Sequence, residues 1–395
     1  MSEELNKKII LNLDDTYDKS NLESLKRRVA KENQGSCPSN ISLLQTYHKL
    51  VNNETIEESK HIEKLLRTSP VRSLSGIVNV SVLTKPYECP GQCIYCPQSD
   101  NAPQSYVDKE PAVMRAQLTD YDPAKQVKTR LEGLKKEGHP TDKIELRVIG
   151  GTWSYYPKQY QRNFIKQCFD ACNGEKSKTL KEAQKKNEEA ERRIIGLSIE
   201  TRPDYIDRAE IKRLRQLGVT RVELGVQTLS DEILKKVKRG HSVEATAKAT
   251  KLLKDGGFKV SYQMMPDLPG SDFKQDLKVF QKLFSDSRFQ PDLLKIYPTV
   301  VLKGTPLYDW YQQGEYEPYS EEELIKLIKN IKKEVPRYVR IQRIIRDVPT
   351  DQIVAGCTTS NLRQEIHKDM KQEDWHCNCI RCKEVGQDYQ DEPLK

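Results

Sequence analysis

The sequence predicts an α/β protein built on a partial (β/α)6 barrel, with a helical extension before it and a cysteine-containing extension after it. Three observations predict this fold. Strand-like and helix-like runs alternate six times between residues 76 and 300. Their connections are short, as in parallel βα units with right-handed crossovers. Chemically distinctive residues recur at the carboxyl ends of the strands, where barrel enzymes carry their active sites.

The elements follow in chain order. Residues 1–70 are polar and helix-prone, and the barrel occupies 71–300. Its predicted strands are 77–84, 144–151, 193–201, 220–228, 258–266 and 293–299. Its predicted helices are 123–137, 157–173, 206–218, 230–240, 242–257 and 271–284, and helical composition also extends through KEAQKKNEEAERR to residue 193. Six units fall short of a complete barrel of eight, and an open doubly wound sheet is the weaker alternative.

The alternation stops in the C-terminal extension, 301–395. An amphipathic helix, EEELIKLIKNIKKEVP, runs into the basic segment RYVRIQRIIRDVP, and a second cysteine group follows near the end of the chain.

Composition indicates a cytoplasmic protein without a membrane partner. Charged residues make up 31% of the 395 positions, and no apolar run is long enough for a membrane span. The N-terminus carries acids where a secretory signal would be basic and then apolar. Thiols stay reduced in the cytosol, so clustered cysteines among the ten are interpreted as metal ligands rather than disulfides. The net charge of +8 is compatible with a polyanionic partner.

The first cysteine group is ECPGQCIYCPQ, in which Cys89, Cys93 and Cys96 follow the first predicted strand. Three closely spaced thiolates are typical ligands of an iron–sulfur cluster. A cluster of four irons held by three cysteines keeps one iron open for another ligand, as catalysis requires. A structural zinc site that borrows a distant fourth ligand is the alternative.

This spacing, with Tyr95 before the last cysteine, resembles the radical S-adenosylmethionine (SAM) superfamily. The resemblance implies a 4Fe–4S cluster whose open iron is chelated by SAM, which is cleaved to methionine and a 5′-deoxyadenosyl radical. It also implies that residues at the strand ends surround SAM. These are Gly150, Gly151 and Thr152 after the second strand, Glu200 and Arg202 after the third, and Gln227 after the fourth. The alternative for Glu200 and Arg202 is that they pair with each other at the barrel rim.

Longer strings between about residues 65 and 388 resemble the family of the catalytic subunit of Elongator and its bacterial and archaeal relatives. They are RSLSGIVNVSVLTKPYECPGQCIYCP, EPAVMRAQLTDYDP, ELRVIGGTW, SIETRPDYID, RVELGVQT, RGH (239–241), MMPDLPG, LLKIYPTVVLKGTPLY and RIQRIIRDVP.

The family resemblance implies a transferase that acts on transfer RNA (tRNA). It would place a carboxymethyl-type group on carbon 5 of the wobble uridine in the anticodon stem–loop, with acetyl-CoA as the source of the carbon radical. The chain ends at Lys395 and lacks the R/Q-x-x-G-x-G/A loop of the family's acetyltransferase domain, so we expect the acetyl-CoA-binding domain to be missing or supplied separately. A homodimer is compatible with the sequence. The alternatives are a radical SAM enzyme for another RNA or donor, and a tRNA-binding scaffold with a structural cluster.

The second cysteine group, Cys377, Cys379 and Cys382, predicts a metal site. Zinc is favoured because structural zinc sites are closed and tetrahedral, and the family resemblance also implies zinc here. The fourth ligand stays open, with His367, His376 and Cys357 nearby in sequence. A second iron–sulfur cluster is the alternative.

Two basic segments are candidates for RNA binding. One is in the N-terminal extension, with Lys26, Arg27 and Arg28, and the family resemblance supports it. The other is in the C-terminal extension, with Lys332, Lys333, Arg337, Arg340 and Arg343. Lysine and arginine contacts to phosphates supply much of the affinity for nucleic acid. A solvated helix face with arginines paired to acids is the alternative for the second segment.

Overall fold

The computed structural model describes residues 2–385 of the chain; residues 386–395 of the predicted C-terminal extension lie outside that part. The helical N-terminal extension is confirmed. Its helices are α1 (Ser2–Leu11), α2 (Lys19–Glu32), α3 (Asn40–Asn52) and α4 (Lys60–Leu66). The side chains of Asp18, Ser39 and Ser59 cap the last three by accepting hydrogen bonds from backbone N–H groups, and the four helices enclose an apolar core of their own.

The barrel strands form one curled parallel sheet. The strands of the described chain are β1 (Val78–Leu83), β2 (Lys143–Ile149), β3 (Arg193–Thr201), β4 (Arg221–Gln227), β5 (Lys259–Met264), β6 (Leu293–Ile296), β7 (Val301–Leu302), β8 (Arg340–Ile344) and β9 (Ile353–Ala355). The sheet order is β1-β2-β3-β4-β5-β6-β8, and β7 pairs with β9 in a separate antiparallel ribbon. The partial barrel and its six predicted strands are confirmed.

Helices cover the outside of this sheet and extend beyond it. They are α5 (Pro111–Gln117), α6 (Pro123–Lys136), α7 (Lys158–Asn173), α8 (Leu180–Asn187), α9 (Arg208–Gln216), α10 (Asp231–Lys236), α11 (Val243–Asp255), α12 (Phe273–Ser285), α13 (Pro306–Gln312), α14 (Glu321–Glu334) and α15 (Leu362–Gln372). Burial of aliphatic residues between the strands and these helices forms the main core of the protein.

The helical tract predicted to reach residue 193 is shorter. Helix α8 ends at Asn187. The side-chain amide N–H of Asn187 donates to the backbone carbonyl of Arg192 at 3.0 Å, and its side-chain oxygen accepts from the backbone N–H of Ile194 at 2.8 Å. These bonds turn the chain toward β3. Asparagine commonly competes with helical hydrogen bonding in this way.

The seventh strand, β8, was not predicted. It pairs in parallel with β6, and its Ile341 and Ile344 are buried. Pro336 follows α14 closely and cannot continue a helix, which favours the extended conformation of the β-branched residues behind it. Strand β8 lies beyond residue 300 but belongs to the barrel sheet. The division of the chain into 1–70, 71–300 and 301–395 stays a prediction.

Among residues 2–385, helices of the length and apolarity needed to cross a membrane are absent.

Candidate active site

The loop after β1 brings the first cysteine group to the carboxyl edge of the sheet. Cys89, Cys93 and Cys96 are half-buried. Each sulfur accepts a hydrogen bond: Cys89 from the N–H of Gly91 at 3.5 Å, Cys93 from Arg239 at 3.5 Å and Cys96 from Gln104 at 3.2 Å. Hydrogen bonds of this kind stabilise thiolates, which are the form that binds iron.

The chemistry of Cys96 also suits a bound metal. Burial raises the pKa of its thiol to about 12, with the neighbouring Cys93 adding to the effect and Gln104 opposing it. A coordinated metal ion would lower this pKa and hold Cys96 as a thiolate. The three cysteines thus fit an iron–sulfur cluster in donor type, spacing and surroundings.

The paired glycines after β2 lie against the cysteine loop. Gly150 has φ +113°, and a Cβ there would lie 2.5 Å from the hydroxyl oxygen of Thr84. Glycine is required at this position by both conformation and space. The next residues bring the hydroxyl of Thr152 to 3.8 Å from the sulfur of Cys89. The turn therefore exposes backbone groups beside the cysteines.

Glu200 and Arg202, at the end of β3, do not pair with each other. The Glu200 carboxylate accepts hydrogen bonds from Tyr106 at 3.1 Å, Gln263 at 3.0 Å and Lys295 at 3.2 Å. Arg202 forms a bidentate pair with Asp204 at 2.9 and 2.8 Å. Glu200 therefore contacts hydrogen-bond donors from other segments, whereas Arg202 contacts the neighbouring Asp204.

Arg202 has one nitrogen, Nη1, that is buried without a hydrogen-bond partner among the described residues. Gly91 of the cysteine loop is beside it, since a Cβ on Gly91 would lie 2.6 Å from that nitrogen. A buried guanidinium N–H without a partner is costly, so this nitrogen is available to an anionic group bound over the cysteine loop.

Gln227 closes β4 in an unusual conformation. Its φ is +69°, in the left-handed region that non-glycine residues rarely occupy. Its backbone carbonyl accepts a hydrogen bond from the N–H of Met265 at 2.7 Å, which fixes the turn. Strain of this kind is concentrated at functional sites, and the Gln227 side chain lines the cavity described below.

The inner face of the sheet carries a buried charge network that was not predicted. Glu223 on β4 and Lys295 on β6 form an ion pair, and each is at most 2% exposed. Burial by itself would raise the pKa of Glu223, but Lys295, Arg147 and Arg221 lower it to about 2. The sequence did contain a signal for this network, a glutamate between the apolar residues of RVELGVQ. A carboxylate buried in a strand is rarely unpaired, so this glutamate indicates cationic partners.

A cavity of about 250 Å³ lies between the cysteine loop and the inner face of the sheet. Its walls include Cys96, Glu200, Gln227, Lys295 and Tyr297. Cys96 and the predicted strand-end residues Glu200 and Gln227 therefore border one cavity. Gly150, Gly151, Thr152 and Arg202 lie outside its lining, on the cysteine-loop side.

Arg346, directly after β8, ties the outer part of the cysteine loop to the sheet. It donates hydrogen bonds to the carbonyl of Ser105 and, at 3.1 Å, to Glu110, and its guanidinium lies over the Tyr106 ring. Tyr106 in turn contacts Glu200. The segment that follows the unpredicted strand β8 thus supplies a residue at one wall of the cavity.

The second cysteine group is compact. The sulfurs of Cys377, Cys379 and Cys382 all lie within 4.8 Å of one another. Hydrogen bonds from Cys377 and Cys382 lower the pKa of the Cys379 thiol. Three thiols at this separation could converge on one metal ion, as the sequence predicted.

His367 of α15 is the histidine that contacts this group. Its Nε2 lies 3.5 Å from the sulfur of Cys382. The ammonium of Lys332, buried on α14, lies 3.4 Å from both His367 Nε2 and the Cys382 sulfur. Cys357 is buried elsewhere in the core, and His376 lines a cavity of about 270 Å³ beside the group.

The eight predicted RNA-binding residues have different surroundings. Lys26 is buried with Glu23 and Asn40, and Lys332 with the second cysteine group. Arg340 pairs with Glu384, Arg343 pairs with Asp347, and Lys333 lies over the Trp375 ring. The remaining three are exposed and have no carboxylate within 4 Å in the described chain: Arg27, Arg28 and Arg337.

Two regions of the chain match models of known protein families. Residues 84–282 match the radical SAM superfamily, and residues 291–372 match the radical SAM C-terminal domain. The tRNA uridine(34) acetyltransferase of Methanocaldococcus jannaschii is 48% identical over 94% of this chain and 69% of its own length. Elongator complex protein 3 of Schizosaccharomyces pombe is 37% identical over 93% of this chain and 69% of its own length.

A solved structure is also similar. The Methanocaldococcus infernus Elp3 with residues 1–46 deleted has a TM-score of 0.70 and 46% identity, over 79% of this chain and 66% of that one. The chain spans about two thirds of the length of these relatives.

Proposed function

The chain belongs to the radical SAM superfamily and, within it, to the family of the tRNA uridine(34) acetyltransferases and Elongator complex protein 3, and from this premise we propose that it modifies carbon 5 of the wobble uridine of tRNA. The radical SAM domain implies a 4Fe–4S cluster and SAM. One observation carries the proposal: Cys96 borders the same cavity as Glu200, Gln227 and Lys295.

Cys89, Cys93 and Cys96 would hold the cluster, and Arg239 and Gln104 would stabilise the coordinated sulfurs by hydrogen bonding. When bound, cluster and SAM supply a one-electron cleavage that yields a radical able to remove a hydrogen atom. The backbone of Gly150 and Gly151 would approach SAM closely, since neither carries a side chain. The unpartnered nitrogen of Arg202 would bind its carboxylate.

The cavity would receive the uracil ring. As the family resemblance implies, Glu200 and Gln227 would contact SAM where this cavity meets the cysteine loop, and Lys295, paired with Glu223, would line the part that receives the uracil. The contact of Arg346 with the cysteine loop would exclude water while the site is occupied. A carboxymethyl-type product with acetyl-CoA as donor is the finer form of this proposal, in which water hydrolyses the thioester.

We further propose that the second cysteine group holds zinc, with His367 as the fourth ligand. The distance of 3.5 Å from His367 Nε2 to the Cys382 sulfur supports this assignment, because zinc ligands in a tetrahedral site are separated by about this much. The buried ammonium of Lys332 would offset the negative charge that three thiolates bring to the metal.

The test is an anaerobic reaction of the iron-loaded protein with SAM, a reductant and tRNA, with and without acetyl-CoA. We expect 5′-deoxyadenosine and, by mass spectrometry of nucleosides, modified uridine at position 34. Cys93→Ala should abolish both products. Full SAM cleavage by Cys93→Ala would refute the cluster assignment, and SAM cleavage with uridine 34 unmodified even after a relative's acetyl-CoA-binding domain is added would refute the substrate assignment.

A further inference from the structure

A groove of about 690 Å³ lies on the outside of the barrel between helices α7, α8 and α9; we call it the basic groove. Six of its lining residues are lysine or arginine, and the rest are glutamine, alanine or leucine. The cationic residues are Lys158, Arg162, Lys181, Lys212, Arg213 and Arg215. A concave surface of this size with six cations and no carboxylate in its lining is suited to a polyanion.

Most of these cations are free. Lys158, Arg162, Lys181, Lys212 and Arg215 are exposed, and the ion pairs among residues 2–385 include none of them. Arg213 is the exception, since it pairs with the buried Glu210. The C-terminal basic segment differs, because Arg340 and Arg343 there are paired with acids. The basic groove therefore offers more uncompensated positive charge than the segment that the sequence suggested.

The basic groove reaches the same edge of the sheet as the cysteine loop. Helices α7 and α9 begin after the carboxyl ends of β2 and β3, so Lys158 and Ala209 lie near that edge. Arg215 and Gln216 lie at the other end of α9, toward the amino ends of the strands. The groove thus runs from the rim of the active site down the outer wall.

Three tyrosines that are near the groove or the cysteine loop in sequence lie beside one another. The ring centroids of Tyr87 and Tyr155 are 6.0 Å apart, and those of Tyr155 and Tyr205 are 5.9 Å apart. Tyr87 and Tyr155 are each 37% exposed. Tyr155 precedes Lys158 by three residues, and Tyr87 precedes Cys89 by two residues. Aromatic faces beside a basic surface are typical of proteins that bind RNA with unstacked bases.

We propose that the basic groove binds backbone phosphates of the substrate RNA, at nucleotides other than the one that enters the cavity. The inference rests on the proposed function, which supplies an RNA as substrate. The cavity lies inside the sheet and the groove lies outside the helix layer, so one nucleotide cannot occupy both. The exposed tyrosines offer stacking surfaces to unpaired bases.

The test compares tRNA binding by two fourfold variants with equal change in charge. The groove variant is Lys158→Glu, Arg162→Glu, Lys181→Glu and Lys212→Glu. The control variant reverses Lys248, Lys274, Lys278 and Lys282, which are exposed on α11 and α12 and are not in ion pairs among residues 2–385. A third variant, with glutamine at the four groove positions, removes charge without reversal, and melting temperatures check that all three fold.

We expect the groove variant to bind tRNA at least tenfold more weakly than the control variant. The slope of log affinity against log salt should also become shallower by about 3, because each phosphate contact contributes about 0.7 to 0.9 to that slope. A loop-length oligonucleotide should bind to the groove variant and to the control variant with equal affinity.

Equal tRNA affinity and equal salt slope for the groove and control variants would overturn the inference, as would wild-type tRNA affinity in the glutamine variant. Failure of the proposed function gives a different result. The wild-type protein would then leave uridine 34 unmodified in both RNAs, whatever the groove variant binds.

Discussion

Arg239 joins the cysteine loop to β4. One of its N–H groups donates to the sulfur of Cys93 at 3.5 Å, and another donates to the carbonyl of Gly225 at 2.6 Å. The side chain is buried, and although burial opposes the charged form, Tyr95 and Cys93 raise the pKa of the guanidinium above its usual range. A permanent positive charge is therefore fixed beside the proposed cluster.

Removing this charge should make the cluster harder to reduce. We expect Arg239→Gln to shift the reduction potential to a more negative value, because the added electron loses a neighbouring cation and a hydrogen bond to sulfur. Protein-film voltammetry or a redox titration followed by EPR measures this. Arg239→Lys, which keeps the charge, should shift the potential less. An unchanged potential in Arg239→Gln with full iron content would contradict the role.

The glycine after β2 should not tolerate a methyl group. Gly150→Ala introduces a Cβ 2.5 Å from the Thr84 hydroxyl at φ +113°, so we expect a loss of about 2–4 kcal/mol in the free energy of unfolding. Gly133, in α6, is the matched control, because a Cβ there meets no atom within 4 Å. Gly133→Ala should raise stability by about 0.5–1 kcal/mol. Urea denaturation measures both, and equal effects would contradict the assigned strain.

The buried ion pair should be sensitive to loss of one partner. Lys295→Met leaves the carboxylate of Glu223 with Arg147 and Arg221 alone, and we expect a loss of about 3 kcal/mol in the free energy of unfolding. Adding Glu223→Gln should recover part of that loss, because it removes the underpaired charge. A double-mutant cycle measures the coupling. Additive losses from the two single changes would show that the pair is not coupled.

The fold was largely predictable because the strands of a covered parallel sheet are continuous apolar runs bounded by glycine and capping residues. RIIGLSIET was predicted as 193–201 and is β3 at those bounds. Strand β8 was missed because the two isoleucines of its sequence, RIQRI, are three residues apart, a spacing that also suits a helix, and the segment follows an amphipathic helix. Its place in the sheet depends on pairing with β6, a contact between distant segments that local pattern does not carry.

The candidate site divides in the same way. The sequence singles out Cys89, Cys93 and Cys96 as candidate ligands because three cysteines within one loop are themselves a chemical signal. The partners of Glu200 could not be found, since Tyr106, Gln263 and Lys295 come from three distant segments. A basic run in the sequence does not by itself show which cations are exposed: Lys332 lies in such a run but is buried against Cys382, and the cations of the basic groove come from three separate helices.

The carboxyl group of Asp267 gives a prediction for pH dependence. Burial, with the neighbouring Asp276 as a smaller cause, raises its pKa to about 8. The folded state therefore holds the proton more tightly than the unfolded state, and this contribution to stability is lost as pH rises from about 4 to 8. Asp267→Asn keeps a neutral side chain and suits the residue's left-handed φ of +69°.

We expect the free energy of unfolding of Asp267→Asn to exceed that of wild type by more at pH 9 than at pH 5. Denaturant unfolding at the two pH values measures the difference. Asp276→Asn serves as a comparison, because burial also raises the pKa of Asp276 and its carboxylate accepts from Tyr319 and Ser271. An advantage of Asp267→Asn that is the same at both pH values would contradict a raised pKa for Asp267.

The second cysteine group gives the final prediction, on metal content. Elemental analysis of the reconstituted protein should give one zinc and four irons per chain. Cys379→Ala should lose the zinc but keep the iron, because the two cysteine groups lie at separate places in the fold. His367→Gln should bind zinc at least tenfold more weakly, since loss of one ligand opens the tetrahedral site. His376→Gln is the control and should keep wild-type affinity. Equal zinc affinity in His367→Gln and wild type would exclude His367 as a ligand, and additional iron in place of zinc would identify the group as a second iron–sulfur site.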